Sequence, residues 1–331
     1  MRLSWPRPRL AGPLRTSGAY DLDKDLQRVL GHVPKPRKER KPEQLSLFGP
    51  TYEIVEQPRL YETTDGLVVD VDDRAFARAV SLHSSEKADC ARRYAEIVGT
   101  AMKNQYTVWI ELFAGPGKLY VRETRKFVPG SPVEALNIPR QFNRYVFSDL
   151  NPACTESLRR RIGSTYGVNI LQGDANSPEL LVEIAKLVPR DALVVLYGDP
   201  EGLHLHWSTI KFFIDRFPRL DLLLNVPISG VVRAVAAGYD QKASAVMNHP
   251  DPRALFDPGA PDKGVRYREW YWRNCEAAGF DQIAAVPICL RGTNRELYDL
   301  MLASRHPLAS KFFRIAAALP DDAPIALSNH G

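Results

Sequence analysis

The sequence predicts an α/β fold in which helices cover both faces of a mostly parallel sheet. Segments of strand and helix character alternate regularly after Gln105. The runs Ala192–Leu196 and Leu222–Leu224 are apolar on both faces, as parallel strands packed between helices are. Only Arg291–Arg295 separates the last two strands, which is too short for a crossover, so we expect a C-terminal antiparallel hairpin.

The predicted elements follow one another from residue 66 onward. A strand at Gly66–Val71 precedes an amphipathic helix that opens at Ser84 or Ser85 and carries Ala88, Ala91, Tyr94, Ala95 and Val98 on one face. The parallel strands are expected at Thr107–Phe113, Arg144–Asp149, Val168–Gln172, Ala192–Asp199 and Asp221–Val226. Helices are expected between them near Pro132–Leu136, Pro152–Ile162, Pro178–Leu187 and Trp207–Arg216. After a less regular stretch, Gly238–Lys263, come a helix at Val265–Ala278 and the hairpin strands Phe280–Leu290 and Glu296–Ser304.

The composition is that of an ordinary globular protein. Of 331 residues, 44% are hydrophobic and 25% charged, which supplies a core without disulfides or metals. The four cysteines, Cys90, Cys154, Cys275 and Cys289, form no Cys-x-x-Cys pair and are expected to be reduced thiols of a cytoplasmic protein. No apolar run approaches the roughly 18 residues of a membrane span, and the arginine-rich start does not resemble a secretory signal.

Charge and proline divide the chain into an arm and a body. Residues 1–50 hold eleven basic and five acidic residues and seven of the 26 prolines, whereas the rest is nearly neutral. We therefore expect residues 1–50 to be a disordered basic arm, apart from a short helix at Asp21–Leu30. Residues 51–331 are expected to form the α/β domain, with an N-terminal extension at 51–105 and a sheet core at 106–331. The arm is interpreted either as a solvated tail or as a contact for nucleic acid phosphates.

A short apolar motif stands out in the arm, flanked by Pro42 and Pro50. Gln44, Leu45, Leu47 and Phe48 resemble the pentapeptide with which bacterial DNA polymerases and repair proteins bind the sliding clamp. The alternative is that the motif packs on the body of this protein.

Chemically suggestive residues follow the first two parallel strands. The first strand carries Glu111 and runs into Phe113, Gly115 and Gly117, where glycines let a ligand approach the backbone. Asp149 ends the second strand, where an acid can accept both hydrogen bonds of a ribose diol. Ligands bind at the carboxyl ends of such strands, so these residues are candidate cofactor-binding groups.

The next two strands end in the same way. Asp174 and Asn176 follow the third strand and can read the edge of an adenine. Asp199, Pro200 and Glu201 follow the fourth, again as an acid with glycines around it. Four such strand ends in succession predict an adenosine-containing ligand. A nicotinamide dinucleotide is disfavoured, because Lys118-Leu119-Tyr120 follow Gly117 without the third glycine of that fingerprint. The long segment from Lys118 to Gly130 before the next helix also fits poorly with a pyrophosphate on a helix N-terminus.

The chain resembles class I S-adenosylmethionine-dependent methyltransferases in two features, the acidic Glu111 before the glycine loop and the C-terminal hairpin. The resemblance implies that Glu111 and the glycine loop hold the methionyl part of the cofactor. Asp149 would hold the ribose, and Asp199-Pro200 would lie beside the transferred methyl group.

A closer resemblance, covering most of residues 83–315, is to the three-Cys-motif partner (TcmP) family. Its motifs are Phe113–Gly117, Gly130–Pro132 with Ala135-Leu136, Gly173–Asn176, Asp199-Pro200 followed by Trp207, and Ser304–Pro307. The resemblance implies a bacterial, methyltransferase-like protein that associates with a separate protein carrying three cysteines. Glu201 departs from the family, which more often has an aromatic or apolar residue there.

The residues leave several mechanistic alternatives open. Asp199 is the first candidate for the group that takes a proton or holds a target amine, and Glu201 the second. The loop lacks the aromatic residue with which amino-methylating enzymes stack a base; Tyr197 or Trp207 could replace it, or both could be core residues. His204 and His206 could bind a metal, but two ligands are too few, so no metal is expected. The rival function is a non-catalytic partner or scaffold protein.

Overall fold

The computed structural model describes residues 62–256, 262–289 and 296–318, together with Asp21, Asp23, Lys24, Gln27, Leu60 and Gly259. Most of the arm, including Gln44–Phe48, lies outside the described residues. The expectations for disorder, clamp binding and nucleic acid contact therefore stay predictions.

The described elements alternate as the sequence predicts. The strands are β1 (Leu67–Asp70), β2 (Ala75–Val80), β3 (Thr107–Leu112), β4 (Lys118–Val121), β5 (Lys126–Pro129), β6 (Arg144–Asp149), β7 (Val168–Gln172), β8 (Leu193–Gly198), β9 (Leu220–Val226), β10 (Gln282–Cys289) and β11 (Glu296–Ser304). The α-helices are α1 (Leu82–Ala101), α2 (Ser131–Leu136), α3 (Pro152–Ile162), α4 (Pro178–Leu187), α5 (Trp207–Arg216), α6 (Ile228–Ala236), α7 (Asp240–Met247), α8 (Val265–Ala277) and α9 (Ala309–Ala316).

The main sheet has seven strands in the order β10-β11-β9-β8-β3-β6-β7. The five strands from β9 to β7 are parallel, and β11 runs antiparallel to both of its neighbours. The last strand thus lies between the fifth parallel strand and the strand before it in sequence. The predicted α/β class and the C-terminal hairpin are confirmed.

Helices bury both faces of this sheet, because its central strands are apolar on both sides. In β8, Val194 and Leu196 face the core under α4 to α8, and Val195 and Tyr197 face the core under α1, α2, α3 and α9. Of the predicted inner face of α1, Ala91, Tyr94, Ala95 and Val98 belong to the second of these cores, and Ala88 is also buried.

A second, four-stranded sheet has the order β1-β2-β4-β5. Its β4–β5 hairpin fills the segment between Gly117 and Gly130 that fits a dinucleotide fingerprint poorly. Arg161 of α3 fastens this sheet to the main one, donating to Asp73 at 2.8 Å and to the Pro116 carbonyl at 2.6 Å.

The structure corrects two of the predicted elements. Helix α1 begins at Leu82, before Ser84 and Ser85, because β2 ends at Val80 and the extended Ser81 leads directly into the helix. The stretch Gly238–Lys263 is more regular than expected and contains α7 and a 3-10 helix at Pro252–Leu255. Within the described ranges, no helix is both long and apolar enough to cross a bilayer.

Helix α1 approaches the chain at Arg140 so closely that only glycine fits at position 99. A Cβ added to Gly99 would lie 2.3 Å from the Arg140 carbonyl oxygen, which is backbone and cannot swing aside. We expect Gly99→Ala to lower the free energy of unfolding by about 1–3 kcal/mol, although alanine gains up to about 1 kcal/mol in helix propensity. Urea unfolding measures the change. The neighbouring exposed Thr100→Ala serves as the control, and equal stability of the two variants would contradict the close contact.

Candidate functional site

The loops at the carboxyl ends of the parallel strands line one cavity of about 820 Å³. The small sheet, the start of α1 and β11 complete its walls. Of the residues predicted from the sequence, the structure brings these to the cavity: Phe113, Gly115, Gly117, Asp149, Asp174, Asn176, Asp199, Pro200 and Glu201. They meet because the carboxyl ends of parallel strands share one edge of a sheet.

The two glycines after β3 have different tasks. Gly115 has a φ of +65°, and a Cβ added to it would meet nothing within 4 Å, so its backbone faces open space in the cavity. Gly117 has a φ of +79°, and an added Cβ would lie 2.5 Å from Leu158 Cδ1. Gly115 therefore leaves room for a ligand, whereas Gly117 lets the loop pack on α3.

The Asp149 carboxylate joins the glycine loop to the start of α3. Its Oδ2 accepts the Gly115 N–H at 2.8 Å, and its Oδ1 accepts the Asn151 N–H at 2.8 Å. Because a carboxylate can accept about four hydrogen bonds, each oxygen keeps room for one more. The group is thus held rigidly and can still bind a pair of hydroxyls.

Asn176 is occupied by the protein itself. Its Oδ1 accepts from the His206 N–H at 3.0 Å and from the Thr209 hydroxyl at 2.9 Å. Its Nδ2 donates to the His204 carbonyl at 2.7 Å and to Asp174 Oδ1 at 3.1 Å. Asn176 thus fixes the loop after β8. At this strand end Asp174, which is exposed, has the spare acceptor capacity.

Glu111 lies beneath the cavity rather than in its lining. The residue is 1% exposed; its carboxyl accepts the Trp109 indole N–H at 3.1 Å and the Ser131 hydroxyl. Burial raises its pKa to about 8; the two donors oppose the shift, and the charge of Asp199 adds to it. Glu111 therefore reaches the cavity through Ser131, which does line it.

The raised pKa of Glu111 makes stability depend on pH. Between about pH 4.5 and about 8, Glu111 keeps its proton in the folded protein and loses it on unfolding. Stability therefore falls as the pH rises through this window, by up to about 1.4 kcal/mol per unit. We expect Glu111→Gln, which cannot ionise, to flatten the dependence in urea unfolding at pH 5, 6, 7 and 8. The exposed Glu179→Gln is the control, and a wild-type slope in Glu111→Gln would refute the assignment.

Asp199 is the centre of a polar group that sequence reasoning found only in part. Its Oδ1 accepts from Lys87 Nζ at 2.6 Å and from Asn225 Nδ2 at 2.8 Å, and the Tyr197 hydroxyl lies 3.4 Å from its Oδ2. Lys87, from α1, is 7% exposed, and its Nζ lies 4.6 Å from the centre of the Tyr298 ring.

The sequence does carry signals for the two missed residues. Lys87 stands four residues before Ala91 and seven before Tyr94, and so belongs to the buried face of its helix. Asn225 interrupts the leucine run of β9, where a polar side chain needs a partner.

Glu201 lies at the rim and does not join Asp199. Its side chain is 70% exposed and accepts from Arg78 Nη1 at 2.8 Å. Arg78, from β2, also donates to the Asp65 carbonyl at 3.2 Å and to Cys154 Sγ at 3.3 Å. The arginine ties the small sheet to the mouth of the cavity, and the sequence pattern gave no sign of it.

The two aromatic candidates for base stacking are core residues. Tyr197 packs on Trp109, with ring centres 5.8 Å apart, and Trp207 packs edge-on against Tyr271 at 5.3 Å. His204 and His206 line the cavity. Among the described residues, no cluster of three or more histidine, cysteine or acidic side chains is arranged to hold a metal.

Comparison with known proteins adds little to this geometry. No family model matches the chain, and no curated protein matches it. Among solved structures, an O-methyltransferase from Bacillus cereus in complex with SAH is 11% identical, with 65% of this chain and 80% of that one covered and a TM-score of 0.37. The O-methyltransferase TomG from Streptomyces achromogenes, in complex with SAM, is 16% identical, with coverages of 68% and 90% and a TM-score of 0.38.

A protein from Legionella pneumophila is 12% identical, with coverages of 70% and 90% and a TM-score of 0.42. Similarities at these TM-scores carry no weight for function. The fold assignment rests on the strand order of the sheet, with β11 inserted between β9 and β10. The described part of the chain has the Rossmann-like class I methyltransferase fold.

Proposed function

We propose that the protein is a methyltransferase that uses S-adenosylmethionine. The observation that carries the proposal is the pairing of Gly115 with Asp149. An open stretch of backbone lies beside a rigidly held carboxylate with spare acceptor capacity, at the carboxyl ends of adjacent parallel strands. This arrangement suits a nucleoside lying across the strand ends.

The residues present fit the cofactor. Asp149 would accept the ribose hydroxyls, and Asp174, whose Oδ2 accepts no hydrogen bond from another described residue, would lie toward the base. Gly115 leaves room for the chain of the methionyl part, and Ser131, backed by Glu111, would face its charged end. When bound, S-adenosylmethionine supplies an electrophilic methyl group. The protein itself has to align the acceptor and receive its proton.

Asp199 is the residue to which we assign the alignment of the methyl acceptor and the receipt of its proton. Its Oδ1 is held by Lys87 and Asn225, so the carboxylate is fixed in place, while Oδ2 accepts from the Tyr197 hydroxyl at 3.4 Å and has capacity for a second donor. The Lys87 ammonium balances the negative charge of the carboxylate. Glu201 has no comparable support, and we give it a role at the rim with Arg78.

The family, the partner, the target and the location in the cell are proposed from the sequence motifs alone. We propose a TcmP-like protein of the bacterial cytoplasm that works with a three-Cys-motif partner and acts on nucleic acid or in a repair- or defence-associated system. Recruitment to the sliding clamp would use Gln44, Leu45, Leu47 and Phe48. The basic arm and the motifs from Phe113 to Pro307 support these proposals.

A non-catalytic partner or scaffold is the second candidate. One observation favours it: Asp199 Oδ1 already has two donors, as expected of a group that holds α1 and β9 together. The two functions differ in which variants they tolerate. Asp199→Ala would abolish the cellular function of an enzyme, whereas Gln44→Ala with Phe48→Ala would abolish that of a recruited scaffold.

Calorimetric titration of the full chain tests the proposal. We expect S-adenosylmethionine and S-adenosylhomocysteine to bind with one site per chain, and NAD not to bind. A ligand at a hundred times its Kd adds about 2.7 kcal/mol to the stability of the folded state, so thermal melting provides a second readout. Transfer of a labelled methyl group is then screened over acceptors, beginning with DNA. Absence of S-adenosylmethionine binding would overturn the proposal.

A further inference from the structure

Arg233 lines the cavity on the side of β9. It belongs to α6, the helix that follows β9, and its side chain is exposed. In the main sheet β9 neighbours β8, after which Asp199 stands, whereas β6 and β7 lie on the other side of β8. Asp149 ends β6, and Asp174 follows β7. Asp199 therefore stands between Arg233 and the strand ends that we assign to the ribose and the base of the cofactor.

The Arg233 side chain lies back along its helix toward the strand end, as long side chains of helices do. Its Nη1 donates to Ser229 Oγ at 3.2 Å, and this hydroxyl donates in turn to the Leu297 carbonyl of β11 at 2.6 Å. Its Nη2 lies near Gly230, because a Cβ added to that glycine would be 4.0 Å from it. Ser229, Gly230 and Leu297 all line the cavity, so the guanidinium is held on the cavity wall.

Arg233 differs from the other arginine and lysine residues of the cavity wall in having no acidic partner. Arg78 pairs with Glu201 and Lys87 pairs with Asp199, but no carboxylate in the described part of the chain forms an ion pair with Arg233. A guanidinium is always charged, and its planar fork of N–H donors matches the oxygens of a carboxylate or a phosphate. The cavity wall next to β9 therefore favours an anionic group.

We propose that Arg233 binds an anionic group of the methyl acceptor, a phosphate or a carboxylate, and so selects acidic substrates. The inference rests on the proposed function and names the substrate class of the same site. With its anion on Arg233, the acceptor would extend along the strand ends toward the cofactor and present its reacting atom beside Asp199. A protonated aliphatic amine would approach Arg233 with a charge of the same sign and is disfavoured.

Three small probes that share a benzene ring test the selection: phenyl phosphate, benzoate and the neutral benzyl alcohol. Each is titrated by saturation-transfer NMR into the full chain at low salt. The cofactor site is filled with S-adenosylhomocysteine, whose own binding is measured first by calorimetry. We expect the two anions to bind about threefold more tightly than the alcohol, which is the size of effect that an ion pair at an exposed position gives. Added salt should weaken the binding of the anions and not that of the alcohol.

Matched variants assign the preference to one residue. In Arg233→Gln the anions should bind as weakly as benzyl alcohol, with the affinity for S-adenosylhomocysteine unchanged, and Arg233→Lys should recover part of the preference. Arg219→Gln removes the same charge just before β9, at the opposite edge of the sheet, where Arg219 donates to Gln105 and to the Asp191 carbonyl. This control should bind all three probes as the wild type does. With an acceptor found by the methyl-transfer screen, Arg233→Gln should raise KM and leave kcat nearly unchanged.

The outcomes separate this inference from the proposed function. If S-adenosylhomocysteine binds but the anions show no preference over benzyl alcohol, or keep it in Arg233→Gln, the role of Arg233 is overturned and the methyltransferase proposal stands. If Arg233→Gln weakens S-adenosylhomocysteine instead, Arg233 serves the cofactor and the inference is overturned as well. If S-adenosylhomocysteine does not bind the wild type, the proposed function fails and the inference fails with it. If the preference depends on Arg233, the tighter of phenyl phosphate and benzoate shows which anionic group is recognised.

Discussion

Asp149→Ala should abolish detectable binding of S-adenosylhomocysteine. The carboxylate would hold the two ribose hydroxyls, and it also accepts the backbone N–H groups of Gly115 and Asn151, both at 2.8 Å. Hydrogen bonds to a charged group are worth about 1.5–3 kcal/mol each. Losing two of them weakens binding by about 3 kcal/mol or more, which is at least a hundredfold. Calorimetry on the purified variant measures the loss.

Two further variants make this result interpretable. Asp149→Asn keeps one acceptor oxygen and should bind with intermediate affinity. Asp215→Ala removes an exposed carboxylate of α5 that pairs with Lys211 outside the cavity, and should bind as the wild type does. Melting of each variant without ligand shows whether the loop has collapsed. Binding by Asp149→Ala within threefold of the wild type would show that the ribose does not lie at this strand end.

Asp199→Ala should have the second largest effect, and it should act on turnover and stability while sparing the cofactor. General acid–base groups contribute about 10²–10⁴-fold to rates, and we expect methyl transfer to fall by this factor with S-adenosylhomocysteine affinity unchanged. The variant leaves Lys87, 7% exposed, without a carboxylate. Breaking a buried ion pair removes about 3–5 kcal/mol, and because Asp199 is partly exposed we expect the lower end of that range.

A double variant separates the loss of the Lys87–Asp199 ion pair from other effects of the Asp199→Ala substitution. In Lys87→Met with Asp199→Ala no uncompensated ammonium remains, so urea unfolding should show this protein to be more stable than Asp199→Ala alone. Transfer of labelled methyl groups to the best acceptor from the screen reports turnover. Unchanged turnover in Asp199→Ala would remove Asp199 from the reaction and favour the scaffold. A large loss of cofactor affinity would place Asp199 on the cofactor side instead.

The strands and helices of the central sheet could be predicted because each is marked by a pattern of neighbouring residues. Strands such as Arg144–Asp149 and helices such as Pro152–Ile162 and Pro178–Leu187 are local patterns, apolar runs or periodic stripes bounded by proline and capping residues. Of the small sheet only β1 was predicted, because β4 pairs with β2, about forty residues away, and neither of these two strands has a distinctive pattern of its own.

Some residues of the candidate site could likewise be predicted from the sequence, and others could not. The residues at the strand ends could be predicted, since parallel strands bring Asp149, Asp174 and Asp199 to one edge whatever the helices do. Lys87 and Arg78 reach the cavity from α1 and β2, whose placement depends on tertiary packing. The engagement of Asn176 by the loop after β8, and the burial of Glu111 beneath Ser131, likewise follow from contacts that no linear spacing reveals.

The central claim is that the cavity at the strand ends binds S-adenosylmethionine. A crystal structure of the full chain with S-adenosylhomocysteine tests it most directly. The account predicts ribose hydroxyls on Asp149, the homocysteine chain over Gly115, and the sulfur facing Asp199. A ligand bound elsewhere, or bound in this cavity with its ribose away from Asp149, would contradict it.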